Sequence, residues 1–473
     1  MKLWLKLAMV GAMTLAILIP LMMIFGVIQE RQRYRAEAVA DIAASVGQAQ
    51  TLAGPVLVVP YSETVIRRVG EANGSVREVA ETRQGRWRFF PKQLKVDGVL
   101  APSIRKRGLH RVRVYEWKGD VAADFDARIP ADAASTTRVI GQPFVSWSIT
   151  DVRGLRGTPL LEIDGSRVQA AQGSGISGVA LQTALPVDAS EAVRAAAAAA
   201  AAASVDAERA GSGLHAPLAA VQAGQVLKLS TRLQLALAGT ERFGVLPLGD
   251  ANDIGLRSSW PHPSFSGILP RHDIDAAGFK ARWQVDALAT NAQQRWSEGS
   301  WQHDGRDLTQ VALVDPVNPY LMAERATKYG VLFVALTFAG FFMFELLRQV
   351  RVHPIQYGLV GLAIAIFFLL LLSLSEHVPF GWAYLAAAVA CIGLIGFYLS
   401  AVLGGLARGL GFAGMLTTLY AALYGLLLME DNALAVGSAL LFVILAAIMV
   451  ATRKVDWYAL GMGRAPAAPE TRT

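Results

Sequence analysis

The chain has 473 residues, with 44 Lys and Arg against 37 Asp and Glu and a formal charge of +7. A hydrophobic fraction of 53% with only 17% charged residues is high for a soluble chain. The basic excess forms no polybasic block, so nucleic acid is not an expected partner, and a single cysteine, Cys391, excludes an internal disulfide.

Leu7–Ile28 is the first apolar run, without a charge and preceded by Lys2 and Lys6. A secretory signal has a shorter apolar core and small residues at a cleavage site. Here the core is of full length, and Phe25-Gly26-Val27-Ile28-Gln29 offers no such site, so an uncleaved signal anchor is expected. Arg31, Arg33 and Arg35 crowd its far end, and a stalk helix is expected over Tyr34–Gln50.

Residues 29–329 read as one large domain, rich in strands. Gly54-Pro55 opens the β-branched run Val56–Pro60, which continues to Ile66. Arg86–Phe90 alternates around Trp87 and Phe89, Arg111–Tyr115 alternates basic with apolar, and Phe144–Ile149 repeats the pattern. Leu227–Leu237 places Leu227, Leu229, Thr231, Leu233, Leu235 and Leu237 on one face. Gly, Pro and Asp clusters punctuate these runs at intervals suited to an antiparallel sandwich. At about 300 residues such a domain buries enough core to need no disulfide. Residues 189–213 are low in complexity and read as a surface insertion around alanines 195–203, too short as a helix to cross a bilayer.

No catalytic signature is found: neither G-x-S-x-G, nor H-E-x-x-H, nor a Walker loop, nor G-x-G-x-x-G opening a helix. Arg271-His272-Asp273-Ile274-Asp275 carries metal-ligating atoms, but a structural zinc site wants four ligands at motif spacing, so a polar turn is expected there, as at His303-Asp304. No cofactor or metal is therefore expected. Prolines 261 and 263 fix the backbone on both sides of His262, which suggests either that Trp260, His262 and Phe265 present a contact surface or that the aromatic rings plug an end of the sandwich.

Five apolar runs close the chain: Gly330–Leu347, Tyr357–Ser375, Pro379–Leu403, Leu410–Leu428 and Ala433–Ala451. Each is near the ~20 residues a helix needs to cross hydrocarbon. The links alternate in character, with Arg348 and Arg351, then Glu376 and His377, then Arg408, then Glu430 and Asp431, then Arg453 and Lys454. Because short cytoplasmic loops retain Lys and Arg, the basic links are expected inside and the acidic ones outside. Six spans with a cytoplasmic tail at 452–473 put residues 1–6 inside as well and export residues 29–329.

Coupled carriers place ionisable residues near the midplane. Here Glu376, His377, Glu430 and Asp431 fall at outer ends and Glu345 near an inner end, in reach of Arg348, and Pro20 is the one mid-span proline. A carrier is disfavoured. The link holding Arg351 and His353 either docks a cytoplasmic partner or simply anchors helix ends, with Pro354 starting the next helix.

Several stretches in the same order resemble the CreD family of bacterial inner-membrane proteins. They include Gly54-Pro55, Ser259-Trp260-Pro261-His262-Pro263-Ser264-Phe265, Arg325-Ala326-Thr327-Lys328-Tyr329, and Ala335-Leu336-Thr337-Phe338 followed by Phe341, Phe342, Phe344 and Glu345. His353-Pro354-Ile355-Gln356-Tyr357, Leu374-Ser375-Glu376-His377 and Thr452-Arg453 before Asp456-Trp457-Tyr458 complete the likeness, from which the alanine-rich insertion departs. The resemblance implies a product of the Cre two-component regulon, linked to envelope stress, envelope integrity and colicin tolerance. It supplies no catalytic residue or ligand.

The expectation is thus an α+β membrane protein of the inner membrane. It has an N-terminal signal-anchor helix, a periplasmic antiparallel β-rich sandwich and a C-terminal five-helix bundle. Its expected role is to support the envelope without being an enzyme, with the lipid bilayer and a periplasmic or envelope protein as partners and the oligomeric state open. The alternative is a membrane enzyme or transporter of lipid-linked envelope precursors, which would need Glu376-His377 and Glu430-Asp431, both expected on the outer face, to converge there.

Overall fold

The computed structural model describes residues 3–70, 76–131, 137–176, 211–298, 305–314, 319–348 and 352–428, with scattered positions from 435 to 453. The chain divides into two compact units, residues 33–316 and residues 1–32 with 317–473. Helix α1 (Leu3–Val46) is continuous through the expected span and stalk. It stops short of the expected stalk end, because Gln50 already belongs to a strand.

The unit of residues 33–316 is β-rich. It begins with β1 (Gln50–Gly70), β2 (Val76–Phe89), β3 (Gln93–Arg107), β4 (His110–Arg128), β5 (Thr137–Ile140) and β6 (Phe144–Ile149). A 3-10 turn at Val152–Gly154 leads to β7 (Leu155–Ile163), β8 (Ser166–Val168) and β9 (Ala171–Gln172). After residues 177–210, which include most of the alanine-rich insertion and lie outside the described residues, come β10 (Gly213–Pro217), β11 (Val226–Thr240), β12 (Arg242–Leu246) and β13 (Ala251–Ser258). The unit closes with β14 (Pro263–Gly267), β15 (Arg271–Asp275), β16 (Gly278–Asp286), the short helix α2 (Ala292–Glu298) and β17 (Thr309–Leu313).

One sheet runs β14-β17-β12-β1-β6-β10-β9, with β2 and β5 also paired to β1, and the other runs β15-β16-β13-β3-β4-β11-β7-β8. Alternation decides which side chains meet between them. Strand β11 buries Leu229, Thr231, Leu233, Leu235 and Leu237 and exposes Lys228, Ser230, Arg232 and Gln234. The core gathers Leu57, Trp147 and Phe243 from the first sheet with Val96, Trp117, Leu233 and Trp283 from the second. Trp117 stacks on Phe243 at 4.8 Å. Each such buried side chain contributes about 1.5–3 kcal/mol. The outer side of the first sheet is covered in part by Ala292 and Trp296 of α2, which cluster with Ala53, Val56 and Val58.

The sandwich is not purely antiparallel, contrary to the sequence expectation. Strand β1 pairs with β12 in parallel, and β3 pairs with β13 in parallel. Alternation along a strand reports which face is buried, whereas direction depends on the partner, and these partners lie far apart in sequence.

The passage from α1 into β1 is fastened by a buried polar knot. The Gln50 side-chain amide donates to the carbonyls of Asp151 (2.9 Å) and Ala238 (3.1 Å), and its oxygen accepts from the Asp151 amide. Asp151 in turn accepts from the Gln48 amide, from the Arg153 amide and from the Arg153 guanidinium. The Tyr115 hydroxyl, a β4 group, donates to the Arg242 carbonyl of β12 and accepts from the Gln50 amide. Burial raises the Tyr115 phenol well above its usual range. Gly154 sits where a Cβ would come 2.2 Å from the Ala238 carbonyl oxygen.

The other unit holds Leu3–Gln32 of α1 with α3 (Pro319–Arg348), α4 (Pro354–Ser375), α5 (Phe380–Val402) and α6 (Leu406–Leu428). These are five helices long and apolar enough to cross a membrane. Ile17, Leu21, Phe338, Phe341, Tyr357, Phe367 and Tyr420 share their core. Helices α5 and α6 approach closely around Gly409, where a Cβ would meet Ser400 Cβ at 2.7 Å and the Gly396 carbonyl oxygen at 2.9 Å. The expected sixth span, 433–451, falls largely outside the described residues, and its scattered described positions are helical.

Asp151→Asn removes the charge but keeps the shape, and about 1–3 kcal/mol of stability should be lost from the sandwich, read by denaturant unfolding of the full chain in micelles. Gly154→Ala should cost at least as much, because backbone rather than a flexible side chain opposes the new methyl. Burial alone would raise the Asp151 carboxyl, but the Arg153 guanidinium and the Gln48 and Arg153 amides outweigh it and hold it below the usual carboxylate range. Its contribution is therefore complete above that range and lost as the pH falls through the depressed folded value, a loss that Asp151→Asn should abolish.

Candidate functional sites

Glu376 ends α4 as its C-cap residue and turns inward, its side chain only 7% exposed. Arg31 Nε of α1 lies 3.6 Å from its carboxylate, and the Tyr320 hydroxyl of α3 donates to it at 3.3 Å. Beside this pair, Gln32 donates to Glu324 at 2.8 Å, and Lys328 reaches Glu324 at 2.8 Å from one helical turn away. The Gln32 side-chain oxygen is buried and finds no hydrogen-bond partner among the described residues. His377 is exposed, with Nδ1 3.1 Å from the Ser373 carbonyl oxygen. Neighbouring positions in sequence thus part company, and Glu430 and Asp431 lie outside the described residues. The sequence marks Glu376 by its place in an acidic link, but not Tyr320, whose apolar ring hides a buried donor. Arg31 reads there as a flanking charge and proves to be the partner of that acid.

At the start of α4 the backbone is capped by side chains. His353 Nδ1 accepts from the Ile355 amide at 3.3 Å, while the Gln356 side chain accepts from the His353 amide at 2.9 Å, a capping box with Pro354 inside it. His353 therefore has a local structural task, and Arg351 lies outside the described residues. Glu345 is buried and accepts from the Tyr357 hydroxyl at 2.9 Å and from the Val352 amide. Its expected neighbour, the Arg348 side chain, lies outside the described residues.

The aromatic stretch resolves into three situations. Trp260 is half-buried, donates to the carbonyls of His262 and Val314, and carries the Arg113 guanidinium 4.0 Å above its ring. Phe265 lies on β14 against Phe279 and Trp283, at the margin of the core. His262 is exposed and meets Trp260 edge-on. Arg271–Asp275 is an exposed strand, β15, at one edge of its sheet rather than a turn. Charges on an edge strand discourage pairing by another chain. His303-Asp304 lies outside the described residues. Among the described residues, no three His, Cys, Asp or Glu side chains gather as metal ligands do.

Apolar helices packed around a shared core, with a two-sheet unit between the first and second of them, define a multi-pass membrane protein. This chain belongs to the CreD family: the model described as inner membrane protein CreD matches residues 2–458. The inner membrane protein CreD of Escherichia coli (strain K12) is 34% identical over 478 residues, covering 99% of this chain and 97% of that relative. The protein is accordingly a multi-pass inner-membrane protein. Among solved structures, an M1 zinc metallopeptidase variant from Deinococcus radiodurans matches 41% of this chain and 38% of its own at 11% identity and a TM-score of 0.19. A substrate-bound form matches 80% and 95% at 9% identity and a TM-score of 0.21, too slight a likeness to say anything of this chain.

Arg31→Gln and Glu376→Gln, singly and together, should show a coupling of about 0.5–1 kcal/mol in a double-mutant cycle on thermal unfolding, as expected for an ion pair with one half-exposed partner. Tyr320→Phe should lower stability further, since it leaves one acceptor of a buried carboxylate unmet.

Proposed function

We propose that the protein supports the integrity of the cell envelope, with its β-sandwich on the periplasmic side of the inner membrane and its helices serving as the anchor. The observation that carries this reading is the insertion of residues 33–316 between two apolar helices in a chain that matches an inner-membrane family almost from end to end. Alternating basic and acidic links favour a cytoplasmic N-terminus and a cytoplasmic tail. The sandwich acts by binding an envelope component or protein rather than by catalysis. In support, Glu376 is already met by a cation and a phenol donor, which leaves no free base at that position.

Placement is tested with Leu288→Cys, a site 98% exposed, in a Cys391→Ser background. A membrane-impermeant maleimide should label it in cells whose outer membrane alone is permeabilised, whereas labelling only after the inner membrane is broken would overturn the placement. The role is tested by complementation. Cells lacking the protein should become sensitive to envelope-directed detergents, and a variant with Glu376→Gln, His377→Gln, Glu430→Gln and Asp431→Asn should restore resistance at matched protein levels. Failure of that variant, once shown to be folded and inserted, would favour a membrane enzyme or transporter instead.

A further inference from the structure

Strands β14 and β15 end the two sheets on the same side of the sandwich, where the Phe265 ring lies 5.1 Å from the His272 ring. Strand β15 carries Arg271, Asp273 and Asp275, charges that deter pairing. Strand β14, Pro263-Ser264-Phe265-Ser266-Gly267, carries none. Its ladder with β17 is antiparallel, setting Ser264 opposite Ala312 and Ser266 opposite Gln310. In the same register the Ile268 amide donates to the Leu308 carbonyl, so that pair is hydrogen-bonded, and such pairs recur at every second residue. Ser266 and Ser264 therefore turn their amides and carbonyls to β17. Phe265 turns both of its groups the other way, as do the Gly267 amide and the Pro263 carbonyl. The Leu313 amide, opposite Pro263, goes to the Glu241 carbonyl instead, as this alternation requires. Pro263 has no amide to leave unpaired at the open edge. Among the described residues, no strand meets that side of β14.

The side chains beside this edge are open too. Ile274 of β15 stands opposite the buried Phe279, and His272 opposite the buried Ala281, so both face the interior of the sandwich. Ile274 is nevertheless 46% exposed. Half-buried Phe265 leans on Phe279 at the same opening. We propose that an extended peptide segment of another protein adds to β14 as a further strand. A carbonyl, then an amide and a carbonyl, then an amide face outward at the spacing of a strand, and the backbone of another extended chain matches that series. Residues paired across a ladder share a face, so the residue opposite Phe265 directs its side chain into the opening at Ile274 and is apolar. With no charge on β14 to meet one, the paired part of the segment is uncharged. This gives a partner class to the binding role proposed above, on which it rests, and it does not depend on the side of the membrane where the sandwich lies.

The test uses the full chain in detergent micelles and a panel of short capped peptides that alternate threonine with leucine, valine or phenylalanine, each labelled with a fluorophore. In the free chain the Phe265 and Gly267 amides should exchange with deuterium as exposed amides do. A bound peptide should slow both and leave Ser264 and Ser266 unchanged. Methylating the amides of the peptide's apolar residues should weaken binding, read by anisotropy, by about threefold to tenfold per lost hydrogen bond, whereas methylating its threonine amides should spare it. Ile274→Asp should weaken every peptide that binds, and an unchanged melting transition shows that this variant folds. Phe265 and Gly267 amides already protected in the free chain, or no peptide of the panel that slows them, overturns the proposal. So do disulfide-linked dimers in mixtures of Ser264→Cys and Ser266→Cys chains, both with Cys391→Ser, that form in neither alone. A two-fold pairing centred on Phe265 sets those positions opposite each other, and that result assigns the edge to a second copy. The assay reads neither membrane side nor envelope phenotype, so its failure is distinct from failure of the proposed role in complementation.

Discussion

The fold of residues 33–316 depends on how the chain leaves a helix and enters two sheets within a few residues. Gln50 stands at that point, fully buried. Its side chain ties the opening of β1 to the Asp151 backbone after β6, and to Ala238 on β11 of the opposite sheet. Tyr115 makes a second stitch between sheets, from β4 to the Arg242 carbonyl of β12. A buried amide or phenol without partners costs about twice what one satisfied hydrogen bond returns, so the knot tolerates one register of β1 against its neighbours and penalises the others. Apolar packing across the sandwich is less selective, because a Leu accepts many neighbours.

The backbone is shaped to let that knot close. Gly47 follows the last turn of α1 with φ +132°, a conformation that L side chains rarely adopt. Gly154 then lets the turn after Asp151 lie against the Ala238 carbonyl with no room for a methyl. The Thr240 hydroxyl donates to the Gly47 carbonyl, so an otherwise exposed helix end is met by a strand from the second sheet. A helix entering a sandwich at this point is held by its last turn as well as by its apolar face.

Much of this was legible in the sequence, for reasons that differ by element. The apolar helices announce themselves through run length, and β11 through strict alternation, because both properties follow from local geometry alone. The parallel pairings were not legible, since β1 and β12 are separated by most of the unit and nothing within either strand encodes the other's direction. Arg271–Asp275 reads as a turn from its polar residues; an edge strand with both faces open has no buried side to betray its period. Among candidate site residues, position in a link marked Glu376, but its partners Arg31 and Tyr320 come from other helices and could be found only by folding the bundle. His353 and Gln356 illustrate the reverse. Their spacing around Pro354 is a capping signal, written in the sequence yet carried by a histidine, which is seldom the capping residue.

The two carboxylates associated with α4 bear on what the bundle does. Glu345 meets Tyr357 near the helix start, and Glu376 meets Tyr320 and Arg31 at its end. Both are partnered across helices by groups that hold them in place, and the residues of α4 from Tyr357 to Ser375 include no ionisable side chain other than Tyr357 itself. A proton or ion path would need polar groups at intervals through that stretch, and α4 instead turns Ile364, Phe367, Phe368 and Leu371 into the core. Carboxylates confined to the ends of a helix fasten its neighbours, because withdrawing one would leave a charge half out of water without its donors. Within α4, then, the acidic groups at its two ends tie it to neighbouring helices, and the apolar side chains between them pack into the shared core.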